Sequence, residues 1–367
     1  MNFLVFGLLL CFLSTSNGIA NQCGTDCTLA SDCVCASVSS PIDNYTTPQL
    51  IALTFDESPN AITYQKYLSK LLLNRVNPDG NPISATFYIT HQYTDYTIVN
   101  RLYNDGFEIG AHSVTKGPVD YWMTATEELL EQEFGDNVKI TSKFANIPSE
   151  EILGVRTPHL QLVGDKSFKA FTKVGFTYDN SWTALSQNPA FPFTAEYRTT
   201  LPCQIGSCPI ESYPHFWVLP IINLKGIYNN ECNAILGCMA SGTAEEVRDW
   251  LMGEFNRIYE NNRAPMTLML STAWFQSYEN TFEGLELFLN ELSAKNDVFL
   301  VSAREVVNWA RNPVSYQYYR VEHNKKNQEC KPRPCFLKFG NQERIMHSCV
   351  DCPRVYPWLN IPDGNSL

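Results

Sequence analysis

The 367-residue sequence carries a formal net charge of −11, from 27 basic and 38 acidic side chains. Proteins that bind nucleic acid place clustered lysine and arginine side chains against phosphates, and no basic stripe is present, so the sequence excludes a nucleic-acid partner. With 44% hydrophobic and 18% charged residues, the chain can build one large or two ordinary folded domains, and global disorder is excluded.

Residues 1–20 have the features of a secretory signal peptide. They contain no charged residue, carry an apolar run from Phe3 to Leu13, and end in Gly18-Ile19-Ala20, with small residues where a signal peptidase reads. The run is shorter than the roughly 18 apolar residues of a membrane span, and no later stretch reaches that length. We therefore predict a secreted, extracellular protein without a membrane span.

The cysteines point to the same oxidising compartment. Of 13 cysteines, Cys11 lies in the predicted signal peptide, and the other 13 − 1 = 12 form close groups typical of local disulfides. We expect Cys203–Cys208 and Cys232–Cys238 bridges, and pairing within the leader and within the tail. Within those two groups the pairing stays open, and a zinc knuckle over 330–352 is the rival interpretation. The sequon at Asn44 predicts a glycosylated surface position.

Strand-like and helix-like segments alternate from residue 51 to residue 312. Predicted strands cover 51–55, 85–89, 107–111, 152–155, 176–178, 266–270 and 298–301. Predicted helices cover 61–74, 96–103, 124–144, 167–174, 243–259, 282–292 and 304–309. Residues 188–220 lack hydrophobic periodicity, so we predict a long ordered loop there. The irregular composition of residues 313–367 predicts an irregular tail. The alternation favours a (β/α) barrel or a doubly wound sheet.

Polar residues follow the ends of several predicted strands. These residues are Asp56, Glu57, His112, Arg156, Asp179 and Ser271. Because active sites of barrel enzymes lie at the carboxyl ends of the strands, we expect these residues and Lys116 to converge at one end of the sheet. The alternative for the two adjacent carboxylates is that Asp56 caps a helix and Glu57 is a solvated first-turn residue.

Taken together and in this order, the motifs resemble those of the polysaccharide deacetylases, and within them the secreted chitin deacetylases of arthropods. The similar segments are Thr54-Phe55-Asp56-Glu57, Glu108 to Lys116, Arg156-Thr157-Pro158, Tyr178 to Trp182, and Arg263 to Phe275. The resemblance implies a distorted (β/α) barrel in a domain over 46–312, between a cysteine-rich leader at 21–45 and a cysteine-containing tail at 313–367. It also implies zinc-assisted removal of N-acetyl groups from chitin.

The resemblance assigns roles to individual positions. It implies that Asp56 is the general base and that Glu57 and His112 are metal ligands, with Lys116 where the family has a second histidine. It further implies that Arg156 positions the base, that Asp179 belongs to the fourth motif, and that Ser271 stands where the family has a histidine acid.

The departures at these positions predict that zinc binding is impaired and that catalysis is weak or lost. A lysine with a reference pKa near 10.4 is a cation that repels a metal, and Glu57 is longer than the usual aspartate. The Ser271 hydroxyl does not titrate usefully, and loss of a positioned acid costs about 10²–10⁴-fold in rate. We expect the Lys116 ammonium to take the place of the metal's charge in a salt-bridged cluster.

Three functions remain open from the sequence. The first is a secreted protein that binds chitin, chitin oligosaccharides or chitin-matrix proteins with little catalysis, in a matrix such as cuticle or gut lining. The second is an active deacetylase with an altered metal site, and the third is a structural matrix protein. Trp182 and Trp274 are candidate cleft walls for sugar rings, or core residues. His91 and His159 are candidate substitute ligands, or ordinary core and surface histidines.

Overall fold

The fold is built around its first long strand. The structure, a computed structural model, describes residues 19–365, so all but the last two residues of the predicted signal peptide lie outside the described part. All nine residues of β1 (Gln49–Glu57) are buried. Strands of a parallel sheet are covered on both faces, which explains why this segment is almost continuously apolar until Asp56.

The strands are β1 (Gln49–Glu57), β2 (Thr86–Thr90), β3 (Glu108–Ser113), β4 (Gly154–Val155), β5 (Leu162–Val163), β6 (Tyr178–Asp179), β7 (Thr183–Ala184), β8 (Phe193–Thr194), β9 (Gly206–Ser207), β10 (Trp217–Val218), β11 (Ile221–Ile222), β12 (Leu224–Lys225), β13 (Glu231–Cys232), β14 (Met266–Leu270), β15 (Val298–Val301), β16 (Arg333–Phe339) and β17 (Gln342–Ser348). The α-helices are α1 (Ala61–Thr63), α2 (Ser69–Leu72), α3 (Tyr96–Asn104), α4 (Val119–Met123), α5 (Glu127–Ala145), α6 (Asp165–Val174), α7 (Ala244–Tyr259), α8 (Thr272–Ser277), α9 (Thr281–Leu292) and α10 (Ala303–Arg311). A π-helical turn, Tyr64–Leu68, joins α1 to α2.

A single curled sheet of nine strands organises the domain. Its order is β14-β1-β2-β3-β4-β6-β10-β8, and β15 pairs with the amino-terminal half of β1. All of these pairings are parallel except that of β8 with β10. No pairing between the end strands β8 and β14 closes the sheet within residues 19–365. The predicted distorted (β/α) barrel is therefore confirmed as a curled, open half-barrel.

The strand register brings the polar strand ends to one edge. Glu57 pairs with Ile89 of β2, Ala111 of β3 pairs with Val155 of β4, and Val155 pairs with Asp179 of β6. The residues that come next along β3 and β4 are His112 and Arg156, so side chains from four parallel strands meet at the carboxyl edge of the sheet.

The segment 188–220, predicted to be a loop, contributes two strands to the main sheet. Trp217 and Val218 pair in parallel with β6, and Phe193 and Thr194 pair antiparallel with them. Each strand is only two residues long, so no alternation of apolar and polar residues is visible in the sequence. The tail also differs from the prediction, because β16 and β17 form an antiparallel hairpin in which each strand has seven residues.

Disulfide bonds cross-link the leader, two loops and the tail. The bonded pairs are Cys23–Cys35, Cys27–Cys33, Cys203–Cys208, Cys232–Cys238, Cys330–Cys349 and Cys335–Cys352. The two loop pairs are those expected from spacing, and the tail cysteines form bridges rather than a zinc knuckle. Among residues 19–365, no helix is both long and apolar enough to cross a membrane.

Candidate active site

The centre of the site is a buried ion pair between neighbouring parts of the sheet. Arg156 Nη1 donates to Asp56 Oδ1 at 2.7 Å and to Thr54 Oγ1 at 2.9 Å. Arg156 Nε donates to the Asn180 carbonyl at 2.9 Å, and Nη2 donates to Asn180 Oδ1. Burial alone would raise the pKa of Asp56, but the charge of Arg156 followed by that of His112 outweighs burial, and the pKa lies below its usual value.

His112 is buried beside this pair. Its Nδ1 lies 2.9 Å from the Arg156 carbonyl, which can only accept, so Nδ1 carries the proton. In the neutral ring Nε2 is then a bare acceptor, and it lies 3.8 Å from Asp56 Oδ2. Burial lowers the pKa of His112 to about 4, so the ring is neutral at neutral pH. Asp56 Oδ2 is itself buried without a hydrogen-bond partner among the described residues.

Glu57 joins the end of β1 to the start of α8. Its Oε2 accepts from the Thr272 backbone N–H at 2.8 Å, and its Oε1 accepts from the Thr272 hydroxyl at 2.9 Å. Burial raises the pKa of Glu57. Each carboxylate oxygen therefore accepts one hydrogen bond from Thr272, a residue to which the sequence motifs assigned no role.

Lys116 does not form the predicted salt bridge. Its side chain is exposed, and no carboxylate oxygen lies within 4.0 Å of its ammonium among residues 19–365. It still acts through space, since its charge favours the ionised forms of Asp56 and Glu57. Arg156, not Lys116, is the cation bonded to Asp56. The backbone of Lys116 has a left-handed φ of 48°, and this loop conformation determines the direction in which the side chain leaves the backbone.

The loop that carries Lys116 is held by a carboxylate missed in the sequence. Glu133 of α5 is fully buried and accepts from the backbone N–H groups of Val114 and Thr115, both at 3.0 Å. It also accepts from the Tyr121 hydroxyl at 2.6 Å. The sequence feature that could have identified Glu133 is its position one turn from Leu130, on the apolar face of the helix. A charged side chain on that face needs buried hydrogen-bond partners.

Asp179 lies at the end of β6, fully buried. Its Oδ2 accepts from the backbone N–H groups of Ser181 and Trp182 at 3.0 and 3.2 Å. Its Oδ1 has no hydrogen-bond partner among the described residues. Burial raises the pKa of Asp179 to about 6, against the opposing bonds from Ser181 and Trp182.

Ser271 precedes α8 and is partly exposed. Its side chain does not cap that helix. The serine thus reaches the same edge of the sheet as Asp56, through the parallel pairing of β14 with β1. It brings no titratable group there.

The structure corrects the prediction that Trp182 and Trp274 form open cleft walls. Both indoles are buried. Trp182 packs edge-on against Phe168 and Phe193, and Trp274 packs against Phe275. A stacking platform needs an accessible ring face, so these two residues are core residues in this conformation.

The remaining predicted candidates fall outside the ion pair. His91 is buried, with Nδ1 2.7 Å from the Tyr96 hydroxyl and Nε2 2.8 Å from the Pro357 carbonyl, so it is a core histidine. His159 is exposed and lies 3.1 Å from the Gly117 carbonyl, beside the Lys116 loop. Asn44 is exposed, as a glycosylation site must be.

The side chains present do not fit a three-ligand zinc site. Such a site needs three protein donors around an open position. Here His112 Nε2 and Asp56 Oδ2 lie 3.8 Å apart, but no oxygen of Glu57 joins them in a group of ligand atoms within 4.8 Å of one another among residues 19–365. In residues 19–365, the group of three closely spaced ligand atoms that the structure contains is Cys23, Cys27 and Cys35, and disulfides consume those sulfurs.

A parallel half-barrel with this series of motifs at its carboxyl edge defines a deacetylase-type protein, and comparison with known sequences agrees. Residues 43–179 match the family described as polysaccharide deacetylase. The chain is 34% identical to chitin deacetylase 8 of Bombyx mori over 370 residues, covering 97% of both proteins. It is 28% identical to chitin deacetylase 1 of Bombyx mori, covering 97% of this chain and 71% of that protein.

The chain therefore belongs to the polysaccharide deacetylase family, among the proteins similar to arthropod chitin deacetylases. A crystal structure described as a polysaccharide deacetylase from Mycobacterium smegmatis aligns with a TM-score of 0.48 at 16% identity, over 79% of this chain and 98% of that one.

Proposed function

We propose that the protein binds chitin or chitin oligosaccharides at this site and hydrolyses their N-acetyl groups weakly or not at all. The observation that carries the proposal is that, among residues 19–365, the ligand atoms of Asp56, Glu57 and His112 do not all lie within 4.8 Å of one another. A metal held by fewer than three protein groups is poorly placed to activate water. Lys116 adds a cation that repels a metal ion. Ser271 offers no side chain that can act as the proton-donating acid.

The buried acceptors of the site support binding of a sugar. Asp56 Oδ2 and His112 Nε2 accept no hydrogen bond within residues 19–365, although buried polar atoms are nearly always paired. An N-acetylated sugar supplies hydroxyl and amide N–H donors, which are the groups that such acceptors need. We therefore infer that the natural occupant of this edge donates hydrogen bonds.

The partner and location follow from the same reasoning. Six disulfides are typical of proteins that mature in an oxidising compartment, which supports secretion. A secreted chitin binder meets its ligand in an extracellular matrix that contains chitin, such as cuticle or gut lining. Chitin-matrix proteins are the second class of partner in this setting.

A metal-dependent chitin deacetylase with an altered site is the second candidate. The observation that favours it is His112, whose lowered pKa of about 4 leaves a neutral ring with a bare Nε2 at neutral pH. If Glu57 exchanged its Thr272 bonds for a metal, His112 and Glu57 would be two of its ligands, and the ion would supply an activated water. The Asp56–Arg156 pair is also intact.

The test combines binding, metal content and acetate release. We expect calorimetry with chitotetraose to detect binding, and an Asp56→Asn variant to bind more weakly because it presents N–H where an acceptor is needed. We expect zinc well below one equivalent by elemental mass spectrometry, and no acetate release above buffer with added zinc. Chelator-sensitive acetate release would establish the active enzyme instead. No binding to any chitin form would favour a structural scaffold.

A further inference from the structure

An exposed apolar surface lies on the tail hairpin and on the loop that follows β2. We call it the tail surface and define it by Tyr93, Phe336 and Ile345. Their side chains are 73%, 78% and 61% exposed. Large side chains left in water at one place mark binding surfaces more often than single scattered ones do.

The hairpin register places two of these residues side by side. Phe336 of β16 pairs directly with Ile345 of β17. Their neighbours Leu337 and Met346 are buried, so the alternation along each strand points Phe336 and Ile345 to the outer face. The buried face of the hairpin packs on the domain, and the outer face is left open.

The third residue lies on the chain segment next to β17. Asp95 forms a parallel bridge with His347, and the Asp95 carboxylate lies 3.7 Å from His347 Nδ1. Tyr93 is two residues before Asp95, and Ile345 is two residues before His347. The loop that carries Tyr93 therefore runs along the edge of the strand that carries Ile345.

Two hydrogen bonds connect the loop that carries Tyr93 to the segment that follows β1. Ser58, which directly follows Glu57, donates from its hydroxyl to the Gln92 carbonyl at 2.8 Å. The Asp95 N–H donates to the Pro59 carbonyl at 2.8 Å. Tyr93 thus lies on a loop bonded to the end of β1, so a long ligand in the site can extend across this loop onto the hairpin.

The backbone beneath the surface is held by buried contacts and by disulfides. His91 is fixed by the Tyr96 hydroxyl and the Pro357 carbonyl, and two disulfides, Cys330–Cys349 and Cys335–Cys352, hold the hairpin. Tyr93 itself has a left-handed φ of 65°, a conformation that a tyrosine adopts only when its surroundings impose it. A backbone fixed in this way limits the conformational entropy that the loop loses on binding.

We propose that the tail surface is an accessory binding surface for the polysaccharide chain of chitin, extending the candidate site beyond the sugars held at its centre. This inference rests on the proposed function. Exposed aromatic rings offer flat apolar faces to the C–H faces of sugar rings. Lys338 and Glu343, paired beside Phe336 and Ile345, carry opposite charges, so this pair adds no net charge to the surface, which suits a neutral polymer.

The test compares a polymer with a short oligomer. A Tyr93→Ala/Phe336→Ala double variant should bind insoluble chitin at least about tenfold more weakly, because aromatic anchors carry most binding energy. Its affinity for chitobiose or chitotriose should match that of the unmodified protein. The matched control is Tyr318→Ala: Tyr318 is 78% exposed and precedes Tyr319, whose ring packs on Phe299 near the amino end of β15. This control should change neither affinity.

Each outcome separates this inference from the proposed function. If the unmodified protein binds both ligands and the double variant loses nothing, the tail surface is not a chitin surface, and the proposed function stands. If the unmodified protein binds neither ligand, the proposed function fails. If the unmodified protein is a dimer by light scattering and the double variant a monomer, the surface serves self-association, and the inference is overturned. Unchanged melting temperatures confirm that the variants are folded.

Discussion

Arg156 and Asp56 form a buried ion pair with a nitrogen–oxygen distance of 2.7 Å, joining the ends of β4 and β1. The guanidinium is wholly buried and also lies 4.3 Å from the centre of the Tyr88 ring. A pair of this kind is costly to break from one side, because the remaining charge stays buried without its partner.

The first prediction concerns the stability that this pair controls. Arg156→Met should lower the free energy of unfolding by about 3–5 kcal/mol at pH 7, because Asp56 is left as an unpaired buried charge. The Asp56→Asn/Arg156→Met double variant should lose less than the sum of the two single variants, since it leaves no buried charge. Urea unfolding of the four proteins measures the coupling. Additive losses would show that the two side chains contribute independently.

The second prediction concerns the loop that carries Lys116. Glu133→Ala should lower the free energy of unfolding by about 2–4 kcal/mol, since several buried donors lose their acceptor. The substitution should also speed hydrogen exchange at Val114 and Thr115, because Glu133 accepts the hydrogen bonds of their backbone N–H groups. Glu131→Ala on the same helix is the control. Glu131 pairs with the largely exposed Lys173, a surface contact worth at most about 1 kcal/mol. Equal effects on exchange would contradict the anchoring role.

The sequence predicted the centre of the fold well, because β1 and its neighbours are long enough to show their pattern. The alternation of strand-like and helix-like segments left a (β/α) barrel and a doubly wound sheet open, and the resemblance to the deacetylases implied the distorted barrel. Strands of two residues, such as β10, carry no periodicity, and only their partners in the folded chain define them. This is why a predicted loop became part of the sheet.

Contacts within the site were less predictable than its position. Lys116 was expected to meet the carboxylates, but the direction of its side chain depends on a left-handed loop residue that sequence does not specify. Thr272 was not recognised because its role comes from its backbone N–H and hydroxyl together. Trp182 and Trp274 were candidates for a cleft wall or for the core, because their position next to motif residues does not determine whether their side chains are exposed.

The third prediction concerns pH and the buried His91. Burial lowers the pKa of His91 to about 4, below the ordinary value of 6.5. The unfolded chain therefore binds a proton between these two pH values that the folded protein does not, so stability is complete above pH 6.5 and falls as the pH drops towards 4. For a fully buried group the loss is about 3 kcal/mol.

A variant separates His91 from other titrating groups. His91→Gln removes the titrating ring, so it should be less stable than the unmodified protein at pH 7, and the difference should shrink by pH 4.5. Urea unfolding across this range provides the measurement. A stability difference that stays constant with pH would show that His91 is protonated equally in both states.

The last prediction is that hydrolysis returns only when several positions change together. Lys116→His alone adds an imidazole but leaves Glu57 bonded to Thr272 and leaves serine at 271, so we expect no acetate release from chitin oligomers. Glu57→Asp shortens the carboxylate and withdraws it from Thr272, and Ser271→His supplies a group that titrates near neutral pH. The triple variant should therefore release acetate with added zinc and stop when a chelator is added.

Binding of zinc offers a readout that does not depend on turnover. Zinc should raise the melting temperature of the triple variant in a concentration-dependent way, since a ligand that binds the folded state stabilises it by mass action. The unmodified protein should show no such shift, because its site offers too few free donors. The Lys116→His/Ser271→His double variant, which retains Glu57, is the matched control. A zinc-dependent shift in this double variant as large as in the triple variant would mean that Glu57 leaves Thr272 readily, and that its position does not limit the metal site.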